Sequence, residues 1–387
     1  MTVVSLAETN EISLPGLAQE EIARVARPLE EAWTMPPAAY TSPEIFELEK
    51  AAILRKSWLP IGRVDQVAKP GDYIALTLLD QPIMIVHGKD GEIRVMSRVC
   101  LHRAAPIVEG SGNRRLFTCP YHAWTYKSDG QLAGAPLMDD AEGFDKKKCR
   151  LPQMRTEIWN GFILVNFDED AEPFAPQVAG FARYFENFKL DEMVIVKTLE
   201  FDSPWNWKVL VENFMEAYHH IATHSTTFEP IYHARDSLVL DAEGPYSILR
   251  MPTNKVVENE AGLPMIEGLT ENQQTDIYAS VLFPFFLIGL QRDAMAWYQI
   301  LPISHDRLTL KIQVCLPRST AALPDADKMA EAVGEMLNVI HHEDIGANDL
   351  VWNGLTAPLT RQGRLSPLER SIWQLNQWWL ARMAEAG

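Results

Sequence analysis

Two short motifs constrain this chain more than anything else in it. Cys100-Leu101-His102 is followed, after sixteen residues, by Cys119-Pro120-Tyr121-His122. Each motif pairs a sulfur donor with an imidazole. Around them run short β-rich segments, GDYIALTLLD, QPIMIVHGKDG, EIRVMSRVC and LFTCPYHAWTYKSDG, punctuated by Gly, Asp and Pro. Lys89-Asp90-Gly91 and Ser128-Asp129-Gly130 read as hairpin-type turns. A small antiparallel β domain, ending near Asp170, would bring the two loops to one point. Two thiolates can hold an iron–sulfur cluster, and imidazole in place of two of them raises its reduction potential. A single zinc ion is the rival, but zinc sites usually pair Cys with Cys and His with His. From composition alone, such a double pair arises by chance about once in a thousand such chains.

The 387 residues and 47% hydrophobic content suit a soluble protein of two or three domains. A net charge of −17 argues against nucleic acid and anionic membranes as partners. No run approaches the ~18 apolar residues of a membrane helix. The N-terminus lacks the basic and apolar regions of a signal peptide, so a cytoplasmic location is expected. In that reducing compartment Cys149 and Cys315 are expected to be free buried thiols. Glu20–Arg27 reads as a short helix stopped at Pro28, and a second helix is expected from Ser42, its N-cap. In the second half, WKVLVENFMEAYHHIATH reads as a helix. YSILRM, ASVLFPFFLIGL, AWYQILPI and LTLKIQVCLP read as strands, and two helices close the chain.

The helix around residue 216 and the distant HHEDIGAND segment form a second constellation. They carry Glu212, Glu216, His219, His220, His224, His341, His342, Glu343, Asp344 and Asp349. Two histidines and one carboxylate with an open face is the arrangement of oxygen-activating non-haem iron. Geometry alone would choose His220 and His224, one helical turn apart. The histidines at 87, 233, 305, 341 and 342 read as surface or satisfied core residues, and Trp205 and Trp207 as packing.

CLHRAAPIVEGSGNRRLFTCPYHAWTY resembles the Rieske signature of the ring-hydroxylating oxygenases, with Ala104 and Ala123 where glycine is usual. The resemblance implies Cys100 and Cys119 on the buried iron of a [2Fe–2S] cluster and His102 and His122 on the outer one. The family pattern E-N-x-x-(D/E)-x-Y-H-x(4)-H matches Glu212-Asn213, Glu216, Tyr218, His219 and His224. It implies His219 and His224 as ligands of a mononuclear Fe(II), which a π-bulge would bring to one face. Asp344 is the implied third ligand and Glu343 its rival. Before Gly354-Leu355 the usual glutamine is missing. Glu216 is implied to carry electrons from a cluster histidine of one subunit to the iron of the next. The Glu variant resembles the carnitine and glycine-betaine branch more than the naphthalene-type dioxygenases.

The resemblance further implies an α+β protein, with an N-terminal all-β Rieske domain and a C-terminal catalytic domain with a helix-flanked antiparallel sheet. The expected divisions are a helical segment over 1–44 that packs on the catalytic domain, the Rieske domain over 45–170 and the catalytic domain over 171–387. Phe228, Ile231, Leu238, Phe283, Phe285 and Trp297 are pocket candidates, and the apolar set suits an aromatic or hydrophobic substrate, as in aromatic hydrocarbon catabolism. The implied enzyme is the terminal oxygenase component. It would use O₂, as a monooxygenase or dioxygenase, to hydroxylate, dihydroxylate or dealkylate a small organic substrate. Its electrons would come from a separate NAD(P)H-dependent reductase, sometimes through a ferredoxin. A homotrimer is implied, with an α₃β₃ assembly second. An electron carrier or structural metal protein, using only the first constellation, is the alternative.

Overall fold

The structure is a computed structural model describing residues 13–253, 255 and 261–385. It divides into two compact units, Trp58–Glu172 and a second formed by the chain up to Ser57 together with the chain from Pro173. The expected boundary at residue 45 therefore moves to Trp58. Residues 1–12 of the expected N-terminal segment lie outside the described residues.

The Trp58–Glu172 unit holds three small antiparallel sheets. β1 (Leu59–Arg63) pairs with β10 (Phe162–Asn166), which pairs with β9 (Arg155–Trp159). A four-stranded sheet runs β4-β3-β2-β5, from β2 (Asp72–Leu78), β3 (Gln81–His87), β4 (Ile93–Ser97) and β5 (Ser111–Asn113). The third is β6 (Phe117–Thr118), β7 (Thr125–Tyr126) and β8 (Leu132–Gly134). Leu79 and Asp80 both take positive φ in the β2–β3 turn, the primed geometry that matches strand twist. Gly91 and Gly130 take positive φ in the two turns read from the sequence. One core cluster contains Tyr73, Met84, Met96, Phe117, Trp124 and Tyr126, and also Cys100 and Cys119. Packing of this core is what brings the two sulfurs to the same place.

The second unit is built on a seven-stranded antiparallel sheet in the order β11-β17-β16-β15-β14-β13-β12. Its strands are β11 (Met193–Ser203), β12 (Leu238–Val239), β13 (Tyr246–Met251), β14 (Ile277–Leu282), β15 (Phe286–Leu290), β16 (Met295–Ser304) and β17 (Arg307–Pro317). β11 was not among the expected strands. It pairs with β17 along its length, and the 30-residue helix Ala326–Leu355 packs against both. The closing helix Arg370–Ala384 packs on β13 and on helix Pro43–Ala52.

Helix Pro43–Ala52, capped by Ser42 Oγ as expected, belongs to this unit because of Glu49. That carboxylate is fully buried. It accepts from Lys208 Nζ at 2.6 Å, Trp379 Nε1 at 2.6 Å and Trp207 Nε1 at 3.1 Å. Three helices are thereby tied to one buried ion pair. Breaking such a pair from one side strands the other charge in the core. Glu49→Ala is expected to destabilise the protein by about 3–5 kcal/mol in denaturant titration, with Lys208 left unpaired. A loss under about 1 kcal/mol would show that Glu49 does not hold these helices together.

Candidate metal centres

The two Cys–His loops have the same hydrogen-bond pattern. Ala104 N donates to Cys100 O at 3.0 Å and Cys100 N to Ala105 O at 2.9 Å. Ala123 N donates to Cys119 O at 3.1 Å and Cys119 N to Trp124 O at 2.8 Å. Ala104 and Ala123 both sit at positive φ, 57° and 56°. The turn therefore demands the left-handed conformation where this chain has alanine, at about 1 kcal/mol or more each relative to glycine. Both cysteines are buried, while His102 and His122 are exposed. The two imidazoles meet edge to face at 4.6 Å, and His102 stacks on Trp124 at 4.9 Å.

This donor set fits a two-iron cluster better than zinc. A single tetrahedral ion with bonds of about 2.0–2.3 Å needs its donors within ~4 Å of one another. At the other site, His219, His220 and His224 offer three donor atoms within 4.8 Å of one another. Two buried thiolates and two exposed imidazoles are the donors of a two-iron cluster that carries both histidines on one iron. Tyr126 Oη lies 3.3 Å from Cys100 Sγ and accepts from Leu101 N at 3.0 Å. A cluster-bound thiolate carries no proton, so in that state the phenol would donate to the sulfur. Burial and this contact raise the phenol pKa well above its ordinary value. Cys149 is half-buried rather than buried, with Sγ against Asp145 O, and Cys315 is buried.

At the second site the expected single helix is broken. Helix Trp207–Phe214 starts at Asn206, whose Oδ1 accepts from Lys208 N at 3.0 Å, and ends at Met215. A separate 3₁₀ turn covers Tyr218–Ile221. Glu216 causes the restart. Its Oε2 accepts from the backbone N of both Tyr218 and His219, as a helix cap does. The released Met215 carbonyl accepts from Ser371 Oγ. No π-bulge is needed, because a broken helix lets His219 and His224 turn toward one point.

That point faces Asp344. His224 Nε2 lies 3.0 Å and His219 Nε2 3.5 Å from Asp344 Oδ1. Donors bound at ~2.1 Å to one ion, with angles of 90–110°, stand about 3.0–3.4 Å apart. Behind the metal-facing edges, His219 Nδ1 meets Glu216 Oε1 at 2.6 Å and His224 Nδ1 meets Glu343 Oε2 at 2.6 Å. Thr227 Oγ1 donates to the same Glu343 oxygen at 2.8 Å. Carboxylates behind imidazoles fix the tautomer with Nε2 bare, as metal-binding histidines require. The position of Glu343 behind His224 was missed in the sequence, where it read only as a rival to Asp344.

Electrostatics point the same way. Burial disfavours a charged His219, yet Asp344 and Glu216 outweigh it and push its pKa up to about 9. Burial also works against an ionised Asp344, but His219 and His224 hold it well below the usual carboxylate range. The site demands a cation, and a metal ion would meet that demand. His220 differs. It has no carboxylate behind it, stacks on Phe228 at 5.3 Å, and burial with its two histidine neighbours drives its pKa to about 3. His341, expected to be satisfied, is buried with neither ring nitrogen hydrogen-bonded, against Phe201 at 4.4 Å.

A cavity of about 590 Å³ opens on these residues. Phe228 and Ile231 line it as expected, together with Phe214, Tyr232, Tyr278 and Tyr298. Four other pocket candidates do not. Ala296 and Tyr298 line the cavity from β16, so the intervening Trp297 faces the other side of the sheet, fully buried. Phe285 packs on Trp207 at 5.8 Å and Phe283 on Trp378 at 5.4 Å, both beside the turn between β14 and β15. Leu238 sits half-exposed on the short edge strand β12.

Comparison with known proteins agrees with this construction. Residues 57–152 match the Rieske [2Fe-2S] domain, and residues 190–385 match the ring hydroxylating alpha subunit (catalytic domain). The chain belongs to the ring-hydroxylating alpha-subunit family of Rieske non-haem iron oxygenases, whose cofactors are a [2Fe–2S] cluster and a mononuclear iron. Over 191 residues it is 39% identical to the carnitine monooxygenase oxygenase subunit of Acinetobacter baumannii, covering 49% of this chain and 52% of that protein. The match thus spans about half the length of that relative. Over 380 residues it is 26% identical to the chloroplastic choline monooxygenase of Spinacia oleracea, covering 97% of this chain and 83% of that protein. The solved structure of a quaternary ammonium Rieske monooxygenase superposes with a TM-score of 0.81 at 25% identity, over 96% of this chain and 100% of that one. Relatives so named do not fit aromatic hydrocarbon catabolism. The catalytic-domain match also removes the alternative of a pure electron carrier. No helix of the described residues is long and apolar enough to cross a membrane.

Two outcomes follow from these centres. Tyr126→Phe removes a hydrogen bond that strengthens as the cluster gains an electron. The cluster's midpoint potential, followed by electron paramagnetic resonance, is expected to fall by about 50 mV, the equivalent of roughly 1 kcal/mol. An unchanged potential would show that the phenol does not act on the sulfur. At the iron site, His219→Ala, His224→Ala and Asp344→Ala are each expected to purify without mononuclear iron while keeping the cluster's visible spectrum. Glu343→Gln is expected to weaken iron binding by about 10–100-fold, and His220→Ala to bind iron as the parent does. Iron loss in His220→Ala with retention in His219→Ala would reverse the ligand assignment.

Proposed function

We propose that this chain is a cytoplasmic terminal oxygenase component that monooxygenates an N-alkyl substrate. Its electrons come from a separate NAD(P)H-dependent reductase or ferredoxin. The observation that carries this reading is the convergence of His219 Nε2, His224 Nε2 and Asp344 Oδ1 on the wall of an aromatic cavity. These three residues would hold the iron, and Cys100, Cys119, His102 and His122 the cluster. The iron, when bound, supplies a position for O₂ next to the substrate. The overall balance is R–H + O₂ + 2e⁻ + 2H⁺ → R–OH + H₂O. On a carbon attached to nitrogen, the resulting alcohol collapses to aldehyde and amine. The names of the relatives support an N-alkyl group, as do the aromatic side chains Phe214, Phe228, Tyr232 and Tyr298 that line the cavity, since aromatic rings can take an ammonium.

The protein's own part is positioning. Glu216 and Glu343 hold the two imidazoles with Nε2 toward Asp344, and the apolar walls keep water from the reacting carbon. Glu216 has a second role in this proposal, as the bridge to a cluster histidine of a neighbouring chain in a homotrimer. A carboxylate has about four lone-pair sites. Tyr218 N, His219 N and His219 Nδ1 use three, leaving one for that imidazole.

Turnover with ¹⁸O₂, a reductase and a panel of N-methyl and N,N,N-trimethyl compounds is expected to put one labelled oxygen into an alcohol, or to release labelled formaldehyde under rapid trapping. Glu216→Gln is expected to keep both metals and cluster reduction while lowering turnover by about 10–100-fold. Cys119→Ala chains mixed with His219→Ala chains are expected to recover part of the activity. Absence of label from every product would end the oxygenase reading. Absence of rescue in proven hetero-oligomers would end the inter-chain route.

A further inference from the structure

The cavity's charge pattern narrows the substrate further. Among the described residues no lysine or arginine lines it. The residues outside the described set contain neither lysine nor arginine, so none of them supplies a cation. The arginines on or beside the cavity-forming strands are already engaged. Arg250 lies between the cavity residues Leu249 and Met251 on β13, so its side chain leaves the opposite face, where Nε meets Asp276 Oδ2 at 2.5 Å. Arg292, just beyond β15, approaches Asp293 at 3.7 Å; its charge is felt at the cavity residue Tyr232, but its side chain does not line the cavity. Lys255 donates to Pro230 O and is exposed. The acids that reach the cavity are Glu216, Asp344 and Glu335; Asp344 is committed to the proposed iron and Glu216 to His219, which leaves Glu335 uncommitted.

A carboxylate entering this space would lose its hydration shell and meet apolar and aromatic side chains and Glu335, with no lysine or arginine lining the cavity to pair with. An ammonium would meet aromatic side chains and Glu335, which favour it. Building on the oxygenase reading, we infer that the substrate is an N-alkyl ammonium or amine without an acid group. Carnitine carries both a trimethylammonium and a carboxylate, so this chain's substrate departs from the one that names its carnitine monooxygenase relatives.

The test is calorimetric titration of the iron-loaded protein with γ-butyrobetaine, its methyl ester and pentyltrimethylammonium. The ester and the alkylammonium are expected to bind at least about tenfold more tightly than the free acid, the loss expected for one buried charge without its partner. Gln291 lines the cavity. Gln291→Arg supplies the missing cation and is expected to raise affinity for γ-butyrobetaine about tenfold while weakening the alkylammonium. Binding of the acid as tightly as its ester by the parent protein would overturn the inference, as would failure of both acid-free compounds to bind. Oxygen uptake is read separately. Tight binding of the ester without any ester-dependent oxygen uptake would support the ligand class and defeat the oxygenase reading.

Discussion

Histidines five residues apart lie about 140° apart around a regular α-helix and cannot face one ion. The proposed iron site depends on ending the helix between them and starting a new turn. Glu216 does this with one oxygen, which takes the backbone N–H groups of Tyr218 and His219, while the other oxygen holds His219 Nδ1. A residue that only carried charge could sit anywhere near the imidazole. One that also caps the turn ties the position of His219 to the path of the backbone. The longer side chain of glutamate, compared with aspartate, gives the reach to cap and to hold the ring together.

The two centres solve the same problem in different ways. In the cluster unit, two short loops with matching hydrogen bonds present their cysteines to one hydrophobic core, so burial of Cys100 and Cys119 is part of ordinary packing. At the proposed iron site, donors come from segments more than a hundred residues apart, and a row of carboxylates stabilises positive charge there. Asp344 faces the metal side of both imidazoles, and Glu216 and Glu343 stand behind them. The buried acids set up a field that calls for a cation. A metal ion bound there would answer that field.

The catalytic sheet shapes the cavity by alternation. Ala296 and Tyr298 face it, and Trp297 packs behind; Leu249 and Met251 face it, and Arg250 turns away to Asp276. Small side chains at Ala279, Gly289 and Ala296 leave the space, and the aromatic residues bound it. The helices are kept in place by Glu49, whose three donors come from two of them. That carboxylate also explains why helix Pro43–Ala52 joins the catalytic unit although the β unit follows it in the chain.

Much of this was legible in the sequence because it depends on near neighbours. The Cys-x-His pairs, the turns at Gly91 and Gly130, the N-cap at Ser42, the two closing helices and the pairing of glutamate, histidine and histidine within a dozen residues are local patterns, set by backbone geometry and donor chemistry. What lay beyond the sequence depends on how elements dock. Glu343 and Asp344 are adjacent and chemically alike, about 100° apart on one helix. Only the approach of His224 between them decides that one faces Nε2 and the other Nδ1. Large apolar residues such as Phe285 and Trp297 are equally suited to a pocket wall or a core. Strand register and the docking of the helices choose between them, since a side chain's neighbours across the fold, and not its own character, determine which space it fills.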